Sequence, residues 1–195
     1  KDLGYASDLD IIFVYDDPHP GAAETYARLA QRLNNWLTSR TSSGQLFDTD
    51  LRLRPSGASG LLVSSIEAFT QYQENEAWVW EHQALTRARH CAGDAAAGAA
   101  FEAVRERILR RPREAAALAA EVLAMREKMH AAHPNASGLF DVKHERGAMI
   151  DIEFIVQYLV LAHAHQHPQL TANLGNIALL KMAADAGLVR GELAE

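Results

Sequence analysis

The sequence predicts an α+β fold, in which a small mixed sheet with helices is followed by a helical bundle. Most segments typical of strands lie in the first 65 residues, and alanine-rich helical segments dominate from residue 94 onward. Because the strands come first and the helices later, the two kinds of element are expected to segregate rather than alternate. We therefore predict a sheet-bearing domain over residues 1–93 and a helical domain over residues 94–195.

The predicted strands are short. Residues 11–15 form a continuous apolar run that ends at an Asp-Asp-Pro turn, which is typical of a strand buried on both faces. Residues 46–54 alternate in polarity and stop at Pro55, which predicts a second strand. A glycine- and serine-rich turn then leads into residues 61–63, so we expect a β-hairpin at this point.

The first predicted helix follows from apolar residues spaced three and four apart, and later ones follow from alanine-rich or strongly apolar segments. The first covers residues 24–40, and Ser64 with Glu67 forms a candidate capping box for the next. Later helices are expected over residues 95–109, 112–132, 149–164 and 176–186, with a short strand over 140–143. Asp151 and Glu153 open one of these helices, where the helix dipole favours acids, and a functional role for them stays open.

Composition predicts a cytoplasmic protein. The net charge is −6, which disfavours binding to a nucleic-acid backbone. The single cysteine, Cys91, excludes an internal disulfide and a cysteine-rich zinc site. No apolar run approaches the roughly 20 residues that span a membrane. The chain lacks an initiator methionine, and we expect it to be a segment of a longer protein.

Two acidic residues precede the first predicted strand. Side chains two positions apart in an extended segment point to the same side, so Asp8 and Asp10 are expected to lie next to each other. Adjacent carboxylates repel unless a cation lies between them, and Mg²⁺ prefers such hard oxygen ligands. An Asp-x-Asp pair at a strand end is more often structural or solvated, so the pair alone is a weak signal.

The second predicted strand adds charged residues of both signs. Asp48, Asp50, Arg52 and Arg54 would share one face. Asp50 is the best third carboxylate for a two-metal site and a reasonable general base, and either arginine could neutralise phosphate charge. A ladder of cross-strand ion pairs is the alternative. The full pattern favours metal-dependent nucleotidyl transfer.

Several motifs carry a family resemblance. Residues 3–10 are Leu-Gly-Tyr-Ala-Ser-Asp-Leu-Asp, and residues 50–57 are Asp-Leu-Arg-Leu-Arg-Pro-Ser-Gly. Together with residues 41–44, 80–89 and 147–158, they resemble glutamine synthetase adenylyltransferase, a bacterial enzyme that both attaches and removes AMP. The Arg-Pro-Ser-Gly and His-Gln-Ala-Leu segments are similar to its C-terminal, AMP-transferring half.

The resemblance implies a nucleotidyltransferase catalytic domain over residues 1–93 that transfers AMP from ATP to a tyrosine of glutamine synthetase and releases pyrophosphate. It implies Mg²⁺, in a two-metal site, as the cofactor, and a PII-type signal protein as a possible second partner. The implied metal-binding and catalytic residues are Asp8, Asp10 and Asp50, and the implied nucleotide-binding residues are Ser7, Arg52, Arg54, Arg87 and Arg89. Three alternatives stay open, namely the adenylyl-removing half, a nucleotidyltransferase that acts on a small molecule, and a non-catalytic module that binds a PII-type protein.

The sequence departs from the family pattern at a few positions. The glycine-rich turn that usually precedes the first motif is largely missing, Thr49 stands where an apolar residue is usual, and Ala148 stands where glycine is common. For Arg87 and Arg89, a surface or packing role is the alternative to contact with the triphosphate.

Overall fold

The computed structural model of the protein describes residues 7–193 and has an α+β fold, as predicted from the sequence. The helices are α1 (Ala22–Thr38), α2 (Ile66–Asn75), α3 (Val79–Leu85), α4 (Ala95–Leu109), α5 (Ala115–Ala132), α6 (Met149–His163) and α7 (Asn176–Asp185). The strands are β1 (Leu9–Asp10), β2 (Phe13–Tyr15), β3 (Arg40–Thr41), β4 (Gly44–Gln45), β5 (Thr49–Asp50) and β6 (Val63–Ser65). Short 3₁₀ turns cover Gly57–Ser59, Pro168–Thr171 and Gly191–Leu193.

Within the described part of the chain, the strands form two-stranded pairs. β1 pairs with β5, and β2 pairs with β6, both in parallel. β3 and β4 form a short antiparallel pair. Parallel partners require a long connection between them, and α1 lies between the members of both parallel pairs.

The predicted hairpin is wrong. The strand expected over residues 46–54 is confined to Thr49–Asp50, because the chain turns immediately after Asp50. The following strand, β6, pairs in parallel with β2 and not with β5. The predicted buried strand is present as β2, but its residues are half-buried.

The strand predicted over residues 140–143 is also wrong. The carboxylate of Asp141 accepts hydrogen bonds from the backbone N–H groups of Lys143, at 2.8 Å, and of His144, at 3.2 Å. An aspartate that binds the backbone two and three residues ahead stabilises a turn in place of a strand. The segment before α6 therefore has turn geometry.

The predicted helices are present, with small shifts at their ends. The residue that caps α2 is Ser65, one position after the predicted Ser64, and its hydroxyl accepts from the N–H of Ala68 at 3.1 Å. α5 begins at Ala115, where the carboxylate of Glu114 accepts from two backbone N–H groups of the first turn. No helix among residues 7–193 is long and apolar enough to cross a membrane.

The chain divides into two compact units. We call residues 7–77 and 90–104 the sheet unit, and residues 78–89 and 105–193 the helical unit. The predicted boundary between residues 93 and 94 coincides with none of the three junctions between the units. The division into two separate domains at this boundary stays a prediction.

Each unit has its own apolar core. In the sheet unit, the fully buried ring of Phe69 lies 5.7 Å from the ring of Phe101, centroid to centroid. In the helical unit, the fully buried side chains come from α4, α6 and the 3₁₀ turn before α7, namely Ile108, Leu109, Val156, Val160, Leu161 and Leu170.

Candidate active site

Parallel pairing of β1 with β5 brings two of the predicted carboxylates side by side. Asp10 lies opposite Asp50 in the register of the two strands. The N–H of Leu9 donates to the carbonyl oxygen of Asp48, and the N–H of Ile11 donates to that of Asp50, both at 2.9 Å. Because residues opposite each other in paired strands place their side chains on the same face, this register fixes the approach of Asp10 to Asp50.

Asp8 completes a cluster of three carboxylates, which we call the acidic triad. Asp8, Asp10 and Asp50 each offer one carboxylate oxygen, and these oxygens lie within 4.8 Å of one another. Asp8 and Asp10 are exposed, and Asp50 is half-buried. Hard oxygen donors at this spacing fit a divalent cation such as Mg²⁺.

Arg52 forms a charged contact with the acidic triad. Its Nε donates to both carboxylate oxygens of Asp50, at 3.0 and 2.8 Å, and its Nη2 donates to Oδ2. This hydrogen bonding by Arg52 lowers the pKa of Asp50 below its usual value. In return, Asp50, and to a smaller extent Asp10 and Asp8, raise the pKa of Arg52. The guanidinium therefore lies within the electrostatic field of all three carboxylates.

Arg54 makes different contacts from Arg52, although the alternating pattern placed both on one strand face, and its predicted contact with the nucleotide stays a prediction. Its guanidinium donates to the carbonyl oxygens of Leu51 at 2.6 Å, Ala58 at 3.2 Å and Gly60 at 3.2 Å. These bonds close the loop over residues 51–60. A Cβ on Gly60 would lie 1.9 Å from the carbonyl oxygen of Pro55, so this tight loop requires glycine there.

β5 is anchored to α1 through Thr49. Its hydroxyl donates to the side-chain oxygen of Asn34 at 2.6 Å. The backbone N–H of Phe47 also donates to the carbonyl oxygen of Leu37 near the end of α1, at 3.1 Å. The family resemblance implies an apolar residue at position 49, and the structure gives the hydroxyl of Thr49 a partner that an apolar side chain would not use. The contact fixes the strand that carries Asp50.

Comparison with known proteins shows the family. Residues 1–104, more than half of the chain, match the sequence model of glutamate-ammonia ligase adenylyltransferases. The chain belongs to this family. The resemblance that the sequence motifs carry is therefore confirmed.

Relatives match the chain over nearly all of its length. A protein from Aromatoleum aromaticum is 64% identical over 194 residues, which cover 100% of this chain and 21% of that protein. Relatives from Chromobacterium violaceum (65% identical, 100% of this chain, 22% of that protein) and Nitrosomonas europaea (64% identical, 96% and 20%) are similar. Each is named a bifunctional glutamine synthetase adenylyltransferase/adenylyl-removing enzyme. The chain thus spans about a fifth of the length of these relatives.

The first family motif is described only in part. Residues 3–6 of this motif lie outside the described residues, which begin at Ser7. Ser7 itself is half-buried and directly precedes Asp8 and β1. Its predicted contact with the nucleotide stays a prediction.

Arg87 and Arg89, also predicted to bind nucleotide, belong to the helical unit. Nη1 of Arg87 donates to the carbonyl oxygen of Leu174 at 2.7 Å, and Arg89 is exposed. The Leu174 contact favours a packing role for Arg87. Nucleotide binding by this pair also stays a prediction.

Two buried arginines of this family member were not predicted as important. Arg105, 3% exposed, donates to the carbonyl oxygens of Leu85, Thr86 and Thr171, and thereby binds the end of α3 to the turn before α7. Arg126, 8% exposed, forms an ion pair with Asp151. In the sequence, an arginine within an alanine-rich helix looks like a solvated residue. The sequence signal that could have indicated burial of these arginines was a single charge between apolar neighbours.

Proposed function

We propose that the chain transfers AMP from ATP to a tyrosine hydroxyl of glutamine synthetase, in a reaction that depends on Mg²⁺. The observation that carries this proposal is the acidic triad, in which the carboxylate oxygens of Asp8, Asp10 and Asp50 lie within 4.8 Å of one another. Membership in the adenylyltransferase family indicates ATP as a substrate, since adenylyl transfer uses ATP as the AMP donor. The names of the relatives supply glutamine synthetase as the acceptor protein.

The proposed reaction is a displacement at the α-phosphorus of ATP. The tyrosine oxygen forms a bond to this phosphorus, while the bond from phosphorus to the oxygen bridging to the β-phosphate breaks. Pyrophosphate leaves with the electron pair, and the tyrosine loses its proton. Mg²⁺ held by Asp8, Asp10 and Asp50 would neutralise charge on the phosphate oxygens and orient the attacking and leaving groups. The spacing of the triad is compatible with the predicted two-metal arrangement.

The position of Asp50 supports a role as metal ligand over a role as general base. One of its carboxylate oxygens lies within 4.8 Å of oxygens of Asp8 and Asp10, which are the hard donors that Mg²⁺ prefers. A carboxylate bound to a divalent cation is a weak proton acceptor. We therefore assign Asp50 to the metal together with Asp8 and Asp10, and leave the tyrosine proton to another acceptor.

Sequence motifs support the AMP-transferring half of the enzyme over the adenylyl-removing half. The Arg-Pro-Ser-Gly and His-Gln-Ala-Leu segments resemble the transferring half. We further propose that the protein acts in the cytoplasm, a location compatible with its single free cysteine, Cys91. A PII-type signal protein stays a possible regulatory partner.

The test is a transfer assay with α-labelled ATP, Mg²⁺ and unmodified glutamine synthetase. We expect label on glutamine synthetase with the wild-type chain and with Asp48→Asn, and none with Asp50→Asn. Asp48 is the matched control because it lies two residues before Asp50 but outside the triad. In parallel, AMP-labelled glutamine synthetase is incubated with the chain and inorganic phosphate. Release of labelled ADP without any transfer would identify the adenylyl-removing half, and no turnover with firm binding of a PII-type protein would identify a regulatory module.

A further inference from the structure

The contacts of Arg52 occupy most of the acceptor positions of the Asp50 carboxylate. A carboxylate offers about four lone-pair positions as hydrogen-bond acceptors. The N–H and the guanidinium of Arg52 together make four contacts with Asp50, two to each oxygen. A cation that binds Asp50 therefore competes with the guanidinium for the carboxylate oxygens.

The guanidinium can leave without disturbing the position of Asp50. The side chain of Arg52 is 79% exposed, whereas that of Asp50 is 15% exposed, so the arginine covers the carboxylate from the solvent side. The backbone N–H of Arg52 donates separately to Oδ1 of Asp50 at 2.8 Å. This bond orients the carboxylate from the turn after β5 and is independent of where the guanidinium lies.

The negative charge of the acidic triad favours contact between the guanidinium of Arg52 and Asp50. Three carboxylates whose oxygens lie within 4.8 Å of one another repel when all are ionised. Arg52 offsets part of this charge, since its guanidinium donates to both oxygens of Asp50. A divalent ion would offset more charge, so the ion and the guanidinium compete for Asp50.

We propose that Arg52 is an internal counter-ion of the metal site, which occupies Asp50 before a metal binds and is displaced onto the phosphates of the nucleotide when the metal arrives. Arg52 is then a positioning residue in the free protein and a phosphate ligand in the nucleotide complex. Arg54 does not share this role, because its guanidinium is held by three carbonyl oxygens of its own loop. This inference rests on the proposed function, since it assumes a divalent metal at the acidic triad.

The proposal predicts effects of opposite sign on metal and nucleotide binding. In Arg52→Gln, Mn²⁺ without nucleotide should bind roughly tenfold more tightly, because a unit charge about 6 Å from a divalent ion in a water-like dielectric has an effect of that size. The affinity of this variant for MgATP should fall about tenfold or more, because a charged hydrogen bond to phosphate is lost. A purely structural role for Arg52 in holding Asp50 would weaken both kinds of binding.

The experiment is a pair of calorimetric titrations of the 195-residue chain, one with Mn²⁺ alone and one with ATP in excess Mg²⁺. Arg28→Gln is the matched control, because it also removes one positive charge from an exposed ion pair of the sheet unit but lies outside the triad. We expect Arg28→Gln to bind both ligands as the wild type does. Thermal unfolding measured in EDTA shows whether each variant is folded in the absence of metal.

The outcomes separate this proposal from the proposed function. Tighter Mn²⁺ binding and weaker MgATP binding by Arg52→Gln support the counter-ion role. Weaker or unchanged Mn²⁺ binding by this variant overturns it, while the metal site and AMP transfer by the wild type still stand. If the wild-type chain binds no Mn²⁺ and transfers no AMP, both proposals fail.

Discussion

The guanidinium of Arg126 forms an ion pair with the carboxylate of Asp151, and this pair joins α5 to the first turn of α6. Asp151 also accepts from the N–H of Gly147 at 2.5 Å. Arg126 donates in addition to the carbonyl oxygens of His144, at 2.7 Å, and Glu145, at 3.3 Å. The pair thus fixes the turn that leads into α6. This arrangement gives Asp151 a structural role within the helical unit.

Loss of this ion pair should destabilise the protein. The side chain of Arg126 is 10% exposed and that of Asp151 is 27% exposed, so Asp151→Asn leaves a mostly buried charge without its counter-charge. We expect the free energy of unfolding to fall by about 2–4 kcal/mol, slightly below the value typical of fully buried pairs. Urea unfolding measures this change.

The control for Asp151→Asn is Glu127→Gln. Glu127 pairs with Arg146 at 2.7 Å, but both side chains are more than half exposed. Exposed pairs contribute about 0–1 kcal/mol, so this variant should be close to wild type. Equal effects of the two substitutions would show that the Arg126–Asp151 pair does not stabilise the helical unit.

The same pair should make stability depend on pH. Burial alone would raise the pKa of Asp151, but the hydrogen bonds from Gly147 and Arg126 outweigh it and lower this pKa. A carboxyl group with a lowered pKa in the folded state stabilises the fold above its unfolded pKa of about 3.9 and loses this contribution as pH falls through the folded value. The stability difference between wild type and Asp151→Asn should therefore shrink between pH 5 and pH 3. A difference that is constant over this range would contradict the account.

Neutralising two members of the acidic triad should separate function from stability. Asp8→Asn with Asp10→Asn relieves like-charge repulsion, so in EDTA the melting temperature should equal or exceed that of the wild type. Mg²⁺-dependent ATP binding should be lost, because too few carboxylate ligands remain. Thermal melting and nucleotide titration measure the two effects. A double variant that transfers AMP at a near wild-type rate would show that these residues are not the metal ligands.

The loop over residues 51–60 should depend on Arg54 and not on Arg52. Arg54→Ala removes three hydrogen bonds to carbonyl oxygens of the loop, whereas Arg52→Gln removes none of them. Hydrogen exchange of the loop amides should be faster in Arg54→Ala and unchanged in Arg52→Gln. Equal exchange rates in the two variants would contradict the separate roles assigned to the arginines.

Local patterns in the sequence were sufficient for most helices and for choosing the triad. Local composition predicted α4, α6 and α7 nearly to their ends. Asp8, Asp10 and Asp50 were selected by alternation and by resemblance to the family, and the structure brings their oxygens together. The alternating pattern predicted a strand that also included Arg52 and Arg54. This predicted strand was too long, because strand geometry ends at Asp50.

What the sequence could not predict depends on partners distant in the chain. The parallel pairing of β5 with β1 sets the register of the triad, and no local signal distinguishes it from the expected hairpin. Likewise, Arg126 and Asp151 are 25 positions apart. Apolar residues recur three and four apart in α1, yet Leu33 is 36% exposed and Trp36 is 68% exposed. Periodicity predicts the helix, but it does not show what covers each side chain.

We propose that the acidic triad holds the metal that binds ATP. Its most direct test is a crystal of the chain grown with Mn²⁺ and a non-hydrolysable ATP analogue, with data collected at the manganese absorption edge. We predict anomalous density bounded by the carboxylates of Asp8, Asp10 and Asp50, with the triphosphate next to it. A nucleotide bound elsewhere, with no manganese peak at these three residues, would contradict the account.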